Sequence, residues 1–338
     1  MNATTLDASV LERLLAAAVA APSIFNTQPW KFRLDPDTSA LEVRAAPERS
    51  LREADPAGRA LHLSVGAAVF NLRVAVAHCG WVPVTRLLPR PDDPEVLATV
   101  RPQRAAPGRS PGHRRDLYDA IWRRHSSRFP FSERPLPPAV CAELADAAHL
   151  SGALLSFPTS AEKVFLLRVT AEAERRNRSD PDRSAESRRW VHRDAYDRAD
   201  LGMPRATLGV QDAHEGLPMR DFSAQRHLAG LPAQKFERRP VIALLSTVHD
   251  RRADWLRAGQ ALEHVLLVAT AHGLRTSLLH QAMEWPDLRR NMRPDPELAG
   301  HVHMLVRLGY GPVAPTGPRR TPEHAVTAGP DADAPHGR

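Results

Sequence analysis

Arg124, Ser126 and Arg128 stand at alternate positions in the stretch WRRHSSRF (122–129). On an extended segment, residues two apart face the same side. Two guanidiniums and a hydroxyl would then converge, and guanidinium binds phosphate bidentately. The stretch is therefore a candidate anion cradle; the competing reading is a surface basic run. A second candidate is APSIFNTQPWKF (21–32). There an alanine-rich helix meets Pro22 and runs into a turn holding Ser23, Asn26, Gln28 and Trp30. Either a helix simply ends before a strand, or the turn holds a ligand. Trp30 is expected to pack the turn. His301 and His303 alternate on a strand-like segment with no acidic or cysteine partner nearby, so no metal site is expected.

The chain has 338 residues, enough for two lobes of ordinary domain size. No apolar run approaches the ~18 residues of a membrane span, and MNATTLDASV does not read as a secretory signal. Cys79 and Cys141 have no paired spacing. That argues against a disulfide framework and fits a reducing cytoplasm. The formal charge is +7, and all but three of the 46 basic residues are arginine. These arginines are interleaved with acids along the whole chain, without a nucleic-acid module. The composition predicts no nucleic-acid or membrane partner; a small-molecule substrate is what the resemblance given below implies.

The elements that must position the two candidates follow from periodicity. Asp7 or Ser9 can cap a helix with Leu11, Leu14, Leu15, Ala18 and Val19 on one stripe. WKFRL and LEVRAA read as strands joined by DPDTS. A second helix over 59–78 carries small residues on several faces, which predicts a central, buried position; Gly80 ends it. Helices are expected over 117–125 and 139–150. KVFLLRVTAE (163–172) and PVIALLSTV (240–248) are strand-like. Residues 172–237 are highly charged and too long for an ordinary loop. They read as a partly helical insert, either a lid or a surface excursion. Residues 329–338 read as a disordered tail.

GAAVFNLRVAVAHCG (66–80) and GQALEHVLLVATAHG (259–273) begin and end with glycine at a constant offset of 193. VLERLLAAAVAAPS (10–23) lies over VCAELADAAHLSGA (140–153) at an offset of 130. Two matches in the same order point to duplication of an α+β unit; chance similarity of alanine-rich helices is the rival. The copies differ. The turn with Asn26 and Gln28 survives only in the first, and the basic serine-rich segment only in the second. If the two cooperate, they make one complete site.

RRHSSRF together with APSIFNTQPWKF resembles the motif pair of the FMN-dependent nitroreductase superfamily. The tandem, half-degenerate arrangement is similar to its Acg-like branch. LHLSVGAAVFNLRVAVAHCGW, DPEVLATV and LGYGPVAPTGPRRTP extend the likeness over nearly the whole chain. The resemblance implies an α+β nitroreductase-like fold of two tandem halves, 1–115 and 116–328, forming an internal pseudo-dimer around central helices. It implies one FMN per chain. Arg124 and Ser126 would hold its phosphate and ribityl end, and Arg128 would lie near N1/O2 of the flavin. Pro22, Ser23, Ile24 and Asn26 would border the isoalloxazine ring. Arg320 would supply a second phosphate contact, with Arg319 as the register alternative.

The implied activity is an NAD(P)H-dependent oxidoreductase passing hydride through FMN to a nitroaromatic or quinone-like acceptor. No catalytic side chain is singled out, because the flavin carries the chemistry. The alternative is a protein that stores or sequesters FMN beneath the 172–237 insert with little turnover. The pseudo-dimer would be monomeric, with further dimerisation open.

Overall fold

The computed structural model describes residues 7–35, 37–105, 115–192, 200–214, 216–222, 233–292 and 300–326. Helix α1 (Ala8–Val19) starts where the Asp7 carboxylate accepts a hydrogen bond from the Val10 N–H, 2.8 Å away. That bond satisfies a donor the first helical turn leaves open. The nine-residue turn 21–29 leads into β1 (Trp30–Asp35) and β2 (Ala40–Ala45). Helix α2 (Arg59–His78) follows, then β3 (Trp81–Leu87) and β4 (Val96–Arg104). Antiparallel pairing arranges these strands in the order β1-β2-β4-β3.

After α3 (Arg115–Arg123) the same series recurs: α4 (Pro138–Leu150), β5 (Leu154–Ser156), β6 (Val241–Thr247), α7 (Arg252–Ala271), β7 (Arg275–Leu279) and β8 (His301–Gly309). The second sheet is again antiparallel, in the order β5-β6-β8-β7. In both sheets the pairing of the second strand with the fourth carries an irregularity, between Val43 and Arg44 and between Leu245 and Ser246. Helix α1 packs on α2 as α4 packs on α7.

Helices α2 and α7 form the largest packing interface in the molecule. They cross at Gly66 and Gly259. A Cβ on Gly66 would lie 2.3 Å from the Leu256 carbonyl oxygen, and one on Gly259 would lie 2.1 Å from that of Leu63. Only glycine lets the two backbones approach this closely. The main core gathers around this crossing, with Leu72, Val76, Val265 and Leu266 inaccessible to solvent. Helix α2 is long and apolar enough to span a membrane, but most of it is buried here as a core helix.

The outer faces of the two sheets differ. The first carries charge: buried Glu42 pairs with Arg33 at 2.8 Å and Arg90 at 2.7 Å. The second is apolar and is covered by α5 (Ser160–Ser179), where Leu166, Val169 and Ala173 meet Ile242, Leu244 and Leu305. Residues 163–172, expected as a strand, are the middle of α5. Thr159 and Glu162 form a capping box that starts a helix just upstream of them. The excursion between β5 and β6 therefore begins before residue 172, and its first part is this helix and α6 (Pro181–Arg189). The expected tail, 329–338, lies outside the described residues.

Beyond β8, residues 310–326 cross to the first sheet. They end in the short α8 (Pro322–Ala325), which packs on α1, and Val326 bridges to Phe32 of β1. This strap carries Arg319 and Arg320 to the turn 21–29.

Candidate functional site

The turn 21–29 holds strained backbone. Phe25, Asn26 and Gln28 have φ of 50°, 54° and 47°, a region that side-chain-bearing residues rarely adopt. Side-chain bonds hold it there. Ser23 Oγ accepts from the Gln28 N–H at 2.9 Å. The Asn26 amide donates to the carbonyls of Gly202 and Pro318, and its oxygen accepts from Arg319 at 2.9 Å. Gln28 donates to the Asp200 carbonyl and accepts from the Arg320 N–H. Asn26 and Gln28 thus tie the turn to both the insert and the C-terminal strap. Trp30 is fully buried in the main core.

The basic segment runs beside β7. Ser126 bridges to Thr276, and the Ser127 N–H donates to the Thr276 carbonyl at 2.7 Å. Just beyond it, Glu237 accepts from the Phe131 N–H and pairs with buried Arg307, whose guanidinium lies 3.8 Å from the Phe131 ring centroid. This clamp fixes where the segment leaves the sheet.

Two chambers open where the turn meets the segment, and Pro22, Ser23, Ser126 and Arg128 line both. One is largely apolar, with Ile24, Leu63, Ala67, Leu262 and Leu279 among its walls. The other is basic: Arg124, His125, Arg128 and Arg319 line it, and no acidic residue does among the described residues. Burial pushes the guanidinium of Arg128 down to about 10, with Arg220 adding to the effect. Burial, with Arg124 nearby, pushes Arg319 down to about 9. Both remain charged at neutral pH. His125 is pushed down to about 4 by burial and by Arg124 and Arg319, so it is neutral there. The three guanidiniums supply the chamber's charge.

Arg124 is buried and faces fully buried Glu263 of α7, Nε to Oε1 at 3.2 Å. It also donates to the Ala20 carbonyl at 3.0 Å, the oxygen that accepts from Arg319 Nε at 3.4 Å. Two cations therefore converge on the end of α1 with one carboxyl behind them. Burial pushes that carboxyl up to about 7, against the opposing pull of Arg124.

The structure brings together Pro22, Ser23, Arg124, Ser126 and Arg128 in the basic chamber, and Ile24 joins four of them in the apolar one. Asn26 lies in the basic chamber, not against the apolar wall. Of the two register alternatives, Arg319 lines the chamber. Arg320 does not: its backbone N–H serves Gln28, and its side chain lies in the field of Arg49, Glu48 and Asp200. Consecutive residues on an extended strap point opposite ways.

Part of the insert packs against the turn and the basic segment. Phe222 meets Phe25 edge-on at 5.7 Å and lies beneath the Arg128 guanidinium at 4.5 Å. Arg128 donates to the Thr207 carbonyl at 2.7 Å. Gly209, at φ +80°, approaches the Arg128 backbone so closely that a Cβ would sit 2.5 Å from its carbonyl oxygen. Arg220 reaches buried Glu284. These contacts place Thr207, Gly209 and Phe222 against the turn and the basic segment.

A model described as "Nitroreductase family" matches residues 121–310, more than half of the chain. The chain is 32% identical over 325 residues to "Putative NAD(P)H nitroreductase Rv3131" of Mycobacterium tuberculosis strain H37Rv, covering 95% of this chain and 92% of that one. The chain belongs to the nitroreductase family. A second relative from the same organism, similarly named and designated acg, is 28% identical over 327 residues, with 96% of each chain covered. Among solved structures, an FMN-bound nitroreductase of Bacteroides fragilis aligns over 61% of this chain and 93% of its own, at 14% identity and a TM-score of 0.35. The NADPH complex of a nitroreductase, NfnB, of Mycobacterium smegmatis aligns over 60% and 95%, at 14% identity and a TM-score of 0.36.

Sequence reasoning missed Glu263 and Arg220; Phe222 belongs to the insert that the sequence left open as a lid or a surface excursion. Glu263 carried a signal: it is the one acid within GQALEHVLLVATAHG, a helix otherwise fit for burial. An isolated acid on a buried helix calls for a buried partner.

Proposed function

We propose that this chain is an NAD(P)H-dependent flavin oxidoreductase that holds one FMN between the turn 21–29 and the segment 124–128. The carrying observation is the pair of joined chambers, one apolar and one lined, among the described residues, by three arginines and no acid. That donor set fits a planar apolar ring with an anionic tail, as the family's cofactor has. Arg319, Arg124 and Ser126 would bind the phosphate and ribityl end. Pro22, Ser23 and Ile24 would border the ring, with Asn26 holding the turn in its strained shape. Arg128 would place a cation where charge builds on the reduced ring, which favours reduction. Bound flavin supplies hydride exchange between the nicotinamide and a nitroaromatic or quinone-like acceptor; the residues named here bind it, orient it and shield it.

We further infer that the chain is an internal pseudo-dimer of two halves, 1–115 and 116–328. The support is the shared strand order of the sheets and the helix crossing at glycines 193 residues apart. One intact turn and one intact basic segment then make one site per chain.

The test is anaerobic mixing of FMN-loaded protein with NADPH and with NADH while following flavin absorbance. Bleaching by either nucleotide supports turnover. An FMN-bound protein that neither nucleotide bleaches overturns the oxidoreductase reading in favour of storage.

A further inference from the structure

Glu263 is fully buried, and it lies beside the one cluster of the molecule that the function above assigns to a phosphate. Its neighbours can be counted. Arg124 faces it from the segment after α3. Arg319 lies near from the C-terminal strap, and Asn71 from α2. His125, beside both arginines, is neutral at working pH. On α7 itself the next residue, His264, stacks on Phe70. Neither carboxyl oxygen of Glu263 has a hydrogen-bond partner of good geometry among the described residues. The residue 193 positions earlier is Phe70, on the opposing helix. The acid is thus present only in the copy that faces the arginines.

Two cations with one carboxyl between them leave one positive charge when the carboxyl is ionised and two when it is protonated. A phosphate dianion matches the second state. Bringing the dianion against an ionised, desolvated carboxylate would set like charges together in a medium of low polarity. The carboxyl can escape that repulsion only by taking up a proton.

We propose that Glu263 is a positioning residue with a charge-matching role: it holds Arg124 in the empty cradle and takes up one proton from solvent when the phosphate dianion of FMN engages Arg124 and Arg319. No bond to the flavin forms or breaks in this step; one proton moves from water to Glu263 and one ion pair is exchanged for another. The proposal rests on the FMN reading above and adds to it a defined pH dependence of loading. The carboxyl of the free protein, pushed up to about 7, sits where such an exchange is felt at physiological pH.

The experiment is titration calorimetry of the wild-type apoprotein with FMN at about pH 8 in two buffers of different ionisation enthalpy. Uptake of about one proton per FMN is expected, because the group is mostly ionised before binding and protonated after. Glu263→Gln should bind FMN without that uptake. Relative to this variant, wild-type affinity should fall up to tenfold per pH unit above about pH 7. Riboflavin, which lacks the phosphate, should show neither effect in either protein. Equal proton uptake by wild type and E263Q, or none by wild type, overturns the role of Glu263 and leaves FMN binding standing. Failure of wild type to bind FMN at any pH overturns both readings. The wild-type arm needs no variant, so a poorly folded E263Q does not rescue the proposal.

Discussion

Gly66 and Gly259 touch where α2 crosses α7: a Cβ on either would lie 2.9 Å from the Cα of the other. They stand 193 residues apart, each in the long helix of one of the two recurring element series. Gly259→Ala should be destabilised by about 3 kcal/mol, because the new methyl meets backbone that cannot rotate away. Denaturant unfolding followed by circular dichroism measures it. A loss below about 0.5 kcal/mol, the size of an ordinary surface change, would mean that the helices do not cross this closely.

Arg319→Ala should weaken FMN binding by about 1.5–3 kcal/mol, on the order of tenfold to a hundredfold, by removing a charge-assisted partner of the phosphate. Arg320→Ala keeps the backbone N–H that serves Gln28 and should change affinity by less than about threefold, within ordinary surface effects. Flavin fluorescence titration of the two variants compares them. The reverse ranking would return the phosphate contact to Arg320.

Arg124→Ala leaves Glu263 buried without its cation. Removing one partner of a buried pair costs about 3–5 kcal/mol. The sign with pH follows from the carboxyl's folded value lying above its unfolded one. Stability is fully present below the unfolded value and is lost as pH rises through the folded value near 7. The variant should therefore be less unstable at about pH 5.5 than at about pH 8.5. Equal losses at both would show that Glu263 stays in one protonation state.

The insert is better tested by points than by deletion, because residues 172–179 belong to α5, the helix that covers the second sheet. Phe222→Ala removes the ring between Phe25 and Arg128. Stopped-flow mixing of FMN-loaded protein with NADPH should show flavin reduction severalfold faster than wild type, and FMN release should quicken as well. Unchanged rates of both would mean that Phe222 does not gate the ring.

Buried histidines set the acid limit. Burial and Arg252 push His62 down to about 4; burial and Arg59 push His303 down to about 3. His303 accepts from Arg59 and is bonded to Thr247. A folded value below the unfolded one means stability present above about pH 6.5 and lost as pH falls, by up to about 1.4 kcal/mol per pH unit for each group. Glu263 runs the opposite way between its unfolded value and 7. E263Q should therefore lose stability on acidification more steeply than wild type. Urea unfolding at several pH values between about 7 and 5 measures the slopes; a shallower slope in E263Q would contradict the assignment.

Much of the scaffold was legible because it follows from periodicity and end signals. The stripe of α1 with Asp7 before it, the all-round small face of α2, the alternation of β1 and the continuous apolar run of β6 each specify their element locally. The 163–172 segment misled because its β-branched, apolar run outweighs the capping box immediately before it, and an apolar outer face on one sheet only is a tertiary fact. The turn and the basic segment were legible as residue types. The choice of Arg319 over Arg320 was not, since it depends on the path of the strap. The sequence left the insert open between a lid and a surface excursion and gave no sign of Arg220, because nothing local says where a charged insert will dock.

Titration of the apoprotein with FMN, followed by release of bound flavin on denaturation, tests the central claim most directly. One FMN per chain should saturate the protein, and riboflavin should bind at least about tenfold more weakly, because it lacks the group that the arginines face. Two FMN per chain, no FMN, or riboflavin binding as tight as FMN would contradict a single site built from the turn of one half and the arginines of the other.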